Sequence, residues 1–279
     1  MKTVVGSVVY KEAIRYLPDF FLSLQRQEDQ DFTVLLVNDN IAAEELRELI
    51  RRYGQELAER IEIADRNGAG LKPYLLRIEL LKAAHERGDV LLVIMDCDDI
   101  ASENRISRIK EQYDAQYAFF YNEMLDFEKT PVMQELPAVT GRYSDIGEWN
   151  YLGMSNTAIY MPALSEQFID SLCEGDTAIF DWYLYSRLLL AGKTGKKTEG
   201  CCTYYRIHED NLAGRNHYDE AEVEKEIEIK KRHYGLLEKY DAYYGRLLRT
   251  YENLDASQAE IHREGNGYWW SLVTSRQAE

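Results

Sequence analysis

Over the first hundred residues, short apolar runs alternate with segments of helical period, and few folds accept that alternation. Residues 3–9, "TVVGSVV", read as a strand, after which Ile14, Leu17, Phe21 and Leu24 recur at helical spacing. "FTVLLV" (32–37) reads as a second strand, followed by an amphipathic helix marked by Leu46, Ile50, Tyr53 and Leu57. "RIEIA" is a third, short strand, and residues 71–87, with Pro73 near the start and Gly88 beyond the end, suit a third helix. Residues 90–95 close the series. Strands and helices in this order predict βαβ units, hence an α/β fold with a mainly parallel sheet flanked by helices.

In such sheets ligands gather beyond the carboxyl ends of the strands. Three polar clusters stand at those ends: Tyr10-Lys11-Glu12, Asn38-Asp39-Asn40 and Asp96-Cys97-Asp98-Asp99. Parallel strands would bring all three to one edge, and that convergence weighs more than any single cluster.

The second half is less regular. "QYAFFYNEML" (116–125) and "NTAIYM" (156–161) have strand character, residues 162–173 and 177–191 helical character, and "CCTYYRIH" (201–208) reads as a late strand. From 218 to 251 a charged segment carries Val223, Ile227, Tyr234, Leu237, Tyr244 and Leu248 at an approximately helical period.

Composition narrows the function classes. A net charge of −16 on 279 residues repels nucleic acid and anionic bilayers as main partners. No stretch approaches the roughly 18 apolar residues of a membrane span, and the first apolar run is too short for a signal peptide. The expected location is the cytoplasm, with peripheral contact at the inner face of the membrane left open. Cys97, Cys173, Cys201 and Cys202 lack metal-site spacing and read as free thiols.

The run "VLLVIMDCDDI" (90–100) takes a buried strand directly into three carboxylates. Asp96 and Asp98, two apart, are able to reach toward one ligand, and oxygen-rich flexible clusters suit Mg²⁺ or Mn²⁺ when a substrate diphosphate completes the shell. A solvated acidic turn explains the motif alone equally well. A haloacid-dehalogenase-type phosphatase would place such a motif after its first strand, whereas here two βα units precede it. An EF-hand loop fails at Ile100, where an oxygen ligand is needed.

In their order these segments resemble the family 2 glycosyltransferases of GT-A fold, over residues 1 to about 215. The resemblance rests on "VVGSVVYKEA", "FTVLLVNDN", "MDCDD", "FDWYLYSRL" and "YRIHEDN". It implies a GT-A (Rossmann-like) domain over 1–217, with 1–115 as nucleotide-sugar-binding half and 116–217 as acceptor-side half, and a helical extension over 218–279. It implies a nucleotide-diphosphate sugar as donor, UDP ahead of GDP or dTDP, with Mn²⁺ or Mg²⁺ as cofactor. Tyr10 would lie against the nucleobase and Asp39 on its edge, with Val9, Glu12, Arg77 and Cys97 in the same nucleotide-binding set. Asp96 would contact the nucleotide sugar, Asp98 and His208 the metal, and Asp181 would be the catalytic base. Arg206 and Arg215 are candidates for the diphosphate, and Asp99 for holding the turn or touching the substrate.

The sequence departs from the family pattern at several points. Ile41 follows Asn38-Asp39-Asn40 in place of Gly-Ser, and Phe180 replaces the Glu usual before the base, which leaves Asp176 as a rival to Asp181. The motif of processive synthases is missing, so a single sugar is expected to pass to a glycan or lipid-linked glycan, as in bacterial-type surface glycan assembly. The acceptor loop is expected within 131–151. Two alternatives stay open: a sugar-phosphate nucleotidyltransferase, disfavoured by the lack of a glycine-rich basic loop after the first strand, and a non-catalytic sugar-nucleotide-binding scaffold. Trp269 and Trp270 are expected to pack on the domain, with homodimerisation or contact with a lipid-linked acceptor as other uses.

Overall fold

The computed structural model describes residues 1–177, 179–207, 220–254 and 267–274. Its first half comprises β1 (Lys2–Tyr10), α1 (Leu17–Gln25), β2 (Thr33–Asp39), α2 (Ala43–Tyr53), β3 (Ile61–Asp65), α3 (Pro73–His85) and β4 (Val90–Ile94). These strands lie in the order β3-β2-β1-β4, all parallel. Successive side chains of a strand point to opposite faces, and β4 uses both. Val90, Leu92 and Ile94 join one apolar core with α3, whereas Leu91, Val93 and Met95 join a second core built on α1 and α2. Helices on both faces are why the run needs no polar alternation.

The second half adds β5 (Ile100–Ala101), α4 (Arg105–Glu111), β6 (Phe119–Leu125), β7 (Val139–Thr140), β8 (Thr157–Tyr160), α5 (Glu166–Ser171), α6 (Phe180–Leu190) and β9 (Gly195–Tyr204). β8 runs antiparallel between β4 and β6, and β9 is parallel to β6 and antiparallel to β5 and β7, so the nine-stranded sheet is mixed. β9 starts at Gly195, earlier than its apolar residues suggest. Its charged start is held because the buried Lys197 ammonium lies 2.7 Å from the Glu123 carboxylate of β6. The segment 162–173 breaks into a 3₁₀ turn, then α5, whose N-cap Ser165 hydroxyl accepts the Phe168 N–H.

Gly195 faces Phe119 across the β6–β9 pair, and a Cβ there would stand 2.0 Å from the Phe119 ring. That ring is fully buried against Tyr185, at a centroid distance of 5.0 Å, so it has little room to yield. Gly195→Ala is therefore expected to cost about 1–3 kcal/mol by overpacking. The midpoint should fall by roughly 2–4 °C per kcal/mol in calorimetry; an unchanged melting curve would show that the ring moves freely.

The charged, helical-period segment contains two helices, α7 (Glu220–Leu237) and α8 (Ala242–Glu252), packed on each other. The break is chemical, because the Asp241 carboxylate caps α8 by accepting the Tyr243 N–H at 2.7 Å. Val223, Ile227, Tyr234, Tyr244 and Tyr251 enter the same core as α6, where Trp182 stacks on His233 at 4.1 Å. All four cysteines are free thiols. No helix among the described residues is long and apolar enough to cross a membrane.

Candidate functional site

The parallel strands deliver the three polar clusters to one sheet edge. Tyr10 and Asp39 are register partners at the ends of β1 and β2. Beside them, the Met95 N–H donates to the Gly6 carbonyl, so the acidic turn leaves β4 next to β1. Asn40 takes the positive φ, 63°, that a glycine would otherwise supply. The buried Asn38 amide closes the turn by donating to the Ile41 carbonyl at 2.9 Å, and Ile41 itself is fully buried. Ile41 in place of Gly-Ser therefore leaves a well-formed turn.

Within the acidic turn the carboxylates are unequal. Asp96 accepts a hydrogen bond from Arg77 of α3 at 2.8 Å, and both are about a quarter exposed. Burial alone would lower the Arg77 pKa, but Asp96, with Asp181 and Asp98 beyond it, raises it. Asp99 is buried, and burial followed by repulsion from Asp98 and Asp96 pushes its pKa well above the usual carboxylate range. Burial and the same carboxylates raise the Cys97 thiol and the Tyr10 phenol. This surplus of negative charge, concentrated on hard oxygen donors, fits a divalent cation. Among the described residues no three His, Cys, Asp or Glu side chains form a closed cage. The donor set thus fits an open site on Asp98, beside Asp96, that a substrate diphosphate and water would complete.

Behind the turn lies a buried cation that the sequence did not advertise. Arg105 of α4 donates to Asn122 Oδ1 at 2.9 Å and to the carbonyls of Ile94 and Thr157, tying β4, β6 and β8 together. Burial brings its pKa down to about 10, opposed in part by Asp99.

Arg77, Asp96, Asp176 and Asp181 line one cavity of about 710 Å³. Asp181 sits in the first turn of α6, where the Trp182 N–H donates to its Oδ1 at 2.7 Å. Burial raises its pKa to about 6, against the pull of that N–H and of Arg77. Asp176 has the opposite environment. Lys72 donates to it at 2.8 Å and Arg232 of α7 lies 3.1 Å away, and the Lys72 hydrogen bond leads in lowering its pKa.

Other expected residues lie outside this cavity. The Val9 side chain is buried in the core, so only its backbone faces the edge, and Glu12 is exposed. Arg206 donates its Nε–H to the Asp98 carbonyl and its backbone N–H to Asp99 Oδ1, reaches Asp19 at 2.8 Å, and stacks between Tyr16 and Phe127. It braces the acidic turn. His208 and Arg215 lie outside the described residues. The cavity is also lined by Gly153–Ser155 and by Trp269 and Trp270, and no residue of 131–151 lines it. Lys72 and Arg232 carry no local signal, since their partner Asp176 is remote in sequence.

Comparison with known proteins agrees with this geometry. Residues 5–144, half of the chain, match the model described as glycosyl transferase family 2. No curated relative matches the sequence. Among solved structures, Staphylococcus aureus TarS 1–349 in complex with UDP superposes with a TM-score of 0.59 at 16% identity, covering 91% of this chain and 71% of that one. The mannosyltransferase PcManGT from Pyrobaculum calidifontis, in complex with GDP-Man and Mn²⁺, gives 0.53 at 11% identity, with coverage of 90% and 73%. GalNAc-T7 with UDP, GalNAc and Mn²⁺ gives 0.55 at 10% identity, covering 92% of this chain and 52% of that one. At these identities the likeness shows the fold, which is GT-A. By its sequence match the chain belongs to glycosyl transferase family 2 and is a glycosyltransferase.

Proposed function

We propose that the protein is an inverting, metal-dependent glycosyltransferase. It moves one sugar from a nucleotide-diphosphate donor, UDP ahead of GDP or dTDP, to a hydroxyl of a glycan or lipid-linked glycan in surface glycan assembly. The observation that carries this reading is that the Asp96–Arg77 pair and Asp181 share one cavity, with the Asp181 pKa raised by burial to about 6. The UDP and GDP-Man bound in TarS and PcManGT, and the Mn²⁺ in PcManGT and GalNAc-T7, support the donor class and the cation. Tyr10 and Asp39 hold the base, with Glu12, Cys97 and the Val9 backbone around them, and Asp96 with Arg77 holds the nucleotide sugar.

Asp98, beside Asp96, would hold Mg²⁺ or Mn²⁺, which when bound supplies positive charge to the departing diphosphate. The rest falls to the chain. Asp181 takes the proton of the acceptor hydroxyl while the hydroxyl oxygen bonds to the anomeric carbon from the face opposite the leaving group. The anomeric C–O bond to the diphosphate breaks, and its electron pair leaves on the diphosphate oxygen. A carboxylate of ordinary pKa is a poor base for an alcohol, and the shift to about 6 improves it without losing the ionised form at neutrality. Asp176, held by two cations, orders Lys72 and Arg232 at the cavity mouth instead.

Two measurements test this. Turnover of UDP-, GDP- and dTDP-sugars with product anomers assigned by NMR should show one inverted linkage; retained configuration would exclude direct displacement. The kcat/KM profile, which reports the free enzyme, should rise with pH through about 6 as Asp181 loses its proton and level off above it. A profile flat between pH 4.5 and 7.5 would remove Asp181 from that role.

A further inference from the structure

Residues 267–274 run along the cavity as a strap whose backbone is tied at both ends. At one end, Gln134 N–H donates to the Gly267 carbonyl at 2.9 Å, and Asn150 and Trp269 exchange backbone hydrogen bonds at 2.9 and 3.0 Å. At the other, the Val273 N–H donates to Glu226 Oε1 at 2.9 Å. The Val273 carbonyl accepts from the Lys230 ammonium and lies 3.0 Å from the Tyr251 hydroxyl. Lys230 and Tyr251 are fully buried, and Lys230 is paired with Glu226 at 3.1 Å. A buried ion pair is a poor way to gain stability compared with apolar packing. This one grips main chain, so it fixes the path of the strap while leaving residues 269 and 270 to face elsewhere.

They face the cavity. Consecutive side chains of an extended chain point to opposite sides, yet Trp269 and Trp270 both line it. The left-handed turn at Trp270, φ 60°, achieves this, and for a bulky aromatic residue such a φ is a strained choice. Trp269 is seated on Gly153, where any Cβ would stand 2.6 Å from its ring, and its indole N–H is buried without a hydrogen-bond partner among the described residues. The backbone strain and the unanswered donor both oppose stability. Each follows from placing an aromatic ring at this wall.

We infer that this strap is the acceptor platform, with Trp269 as the surface on which a pyranose ring of the acceptor lies. The inference rests on reading the cavity as the site of transfer. Pyranose rings present apolar C–H faces and polar hydroxyl rims. The cavity matches both, with aromatic rings on one wall and the carboxylate of Asp181 with the Asp96–Arg77 pair also lining it. Stacking the ring on Trp269 leaves its rim hydroxyls free to meet Asp181.

Saturation-transfer NMR on the whole protein with a panel of methyl hexopyranosides, and ribitol as an acyclic control, tests the inference. The ring C–H protons of at least one pyranoside should receive saturation while ribitol receives none. The signal should fall at least fivefold in Trp269→Leu, which keeps apolar volume on Gly153 without a ring, and persist in Trp269→Phe. With that pyranoside as acceptor, KM should rise tenfold or more in Trp269→Leu with kcat within threefold of wild type. Wild-type protein that binds no pyranoside, or equal binding in the folded Leu variant, overturns the strap. If Trp269→Leu fails to fold, Glu226→Gln, which loosens the anchor from beneath, should raise the same KM at least threefold, and an unchanged KM overturns it. Trp269-dependent binding without turnover on any donor would sustain the strap and remove the transfer reading, whereas turnover with Trp269-independent binding would do the reverse.

Discussion

Asp181→Asn is expected to lower kcat by about 10²–10⁴-fold while making the protein more stable above neutrality. The first effect follows from removing the base; Asn still accepts the Trp182 N–H that holds the side chain, so geometry is kept. The second follows from linkage. The folded-state pKa of Asp181, about 6, lies above its ordinary 3.8. Its protonated form favours the fold fully below the unfolded pKa, and that advantage is lost as pH rises through about 6. Ionised Asp181 therefore opposes folding at pH 8. A shift of this size corresponds to about 3 kcal/mol before solvent screening, and because the carboxyl borders an open cavity about 1–2 kcal/mol is expected. Differential scanning of both proteins should give a Tm gain for the variant at pH 8 that vanishes by pH 4. Wild-type turnover in the variant would show that the carboxylate is not the base, and the absence of a pH-dependent gain would show that its ionised form does not oppose folding.

Asp98→Ala is expected to abolish tight Mn²⁺ binding by EPR titration and to lower turnover by about 10²–10³-fold, equivalent to about 3–4 kcal/mol of transition-state stabilisation. EDTA should lower wild-type turnover by a similar factor and have little further effect on the variant, because both remove the same contribution. Asp98 is the carboxylate that the family resemblance assigns to the cation, whereas Asp99 is buried behind the turn. EDTA-treated wild-type enzyme that retains full turnover would end the metal assignment.

Much of the sheet edge that carries the three polar clusters was readable in the chain. Period-2 and period-3.6 apolar patterns are local, so β1, β2 and β4 and their polar ends followed from "TVVGSVV", "FTVLLV" and "VLLVIM". Parallel pairing then brought Tyr10 beside Asp39. Legibility declined where packing overrode pattern. The start of β9 depends on a buried Lys197–Glu123 pair, and the break between α7 and α8 on the Asp241 cap. The choice between Asp176 and Asp181 was closed to the sequence as well. Both are aspartates beside the same helix, and they differ only in the company each keeps.

From the sequence alone came the order of strands and helices in the first hundred residues, the three polar strand ends and the candidate acids, because each depends on residues within one strand or helix of one another. Tertiary structure decided what those acids are able to do. Lys72, 104 residues from Asp176, and Arg232, 56 residues beyond it, hold that carboxylate charged and occupied. Burial leaves Asp181 with a pKa near 6, and a strap anchored on Glu226 and Lys230 brings Trp269 and Trp270 to the same cavity. Charge environment and cavity shape are sums over neighbours that only the folded chain brings together.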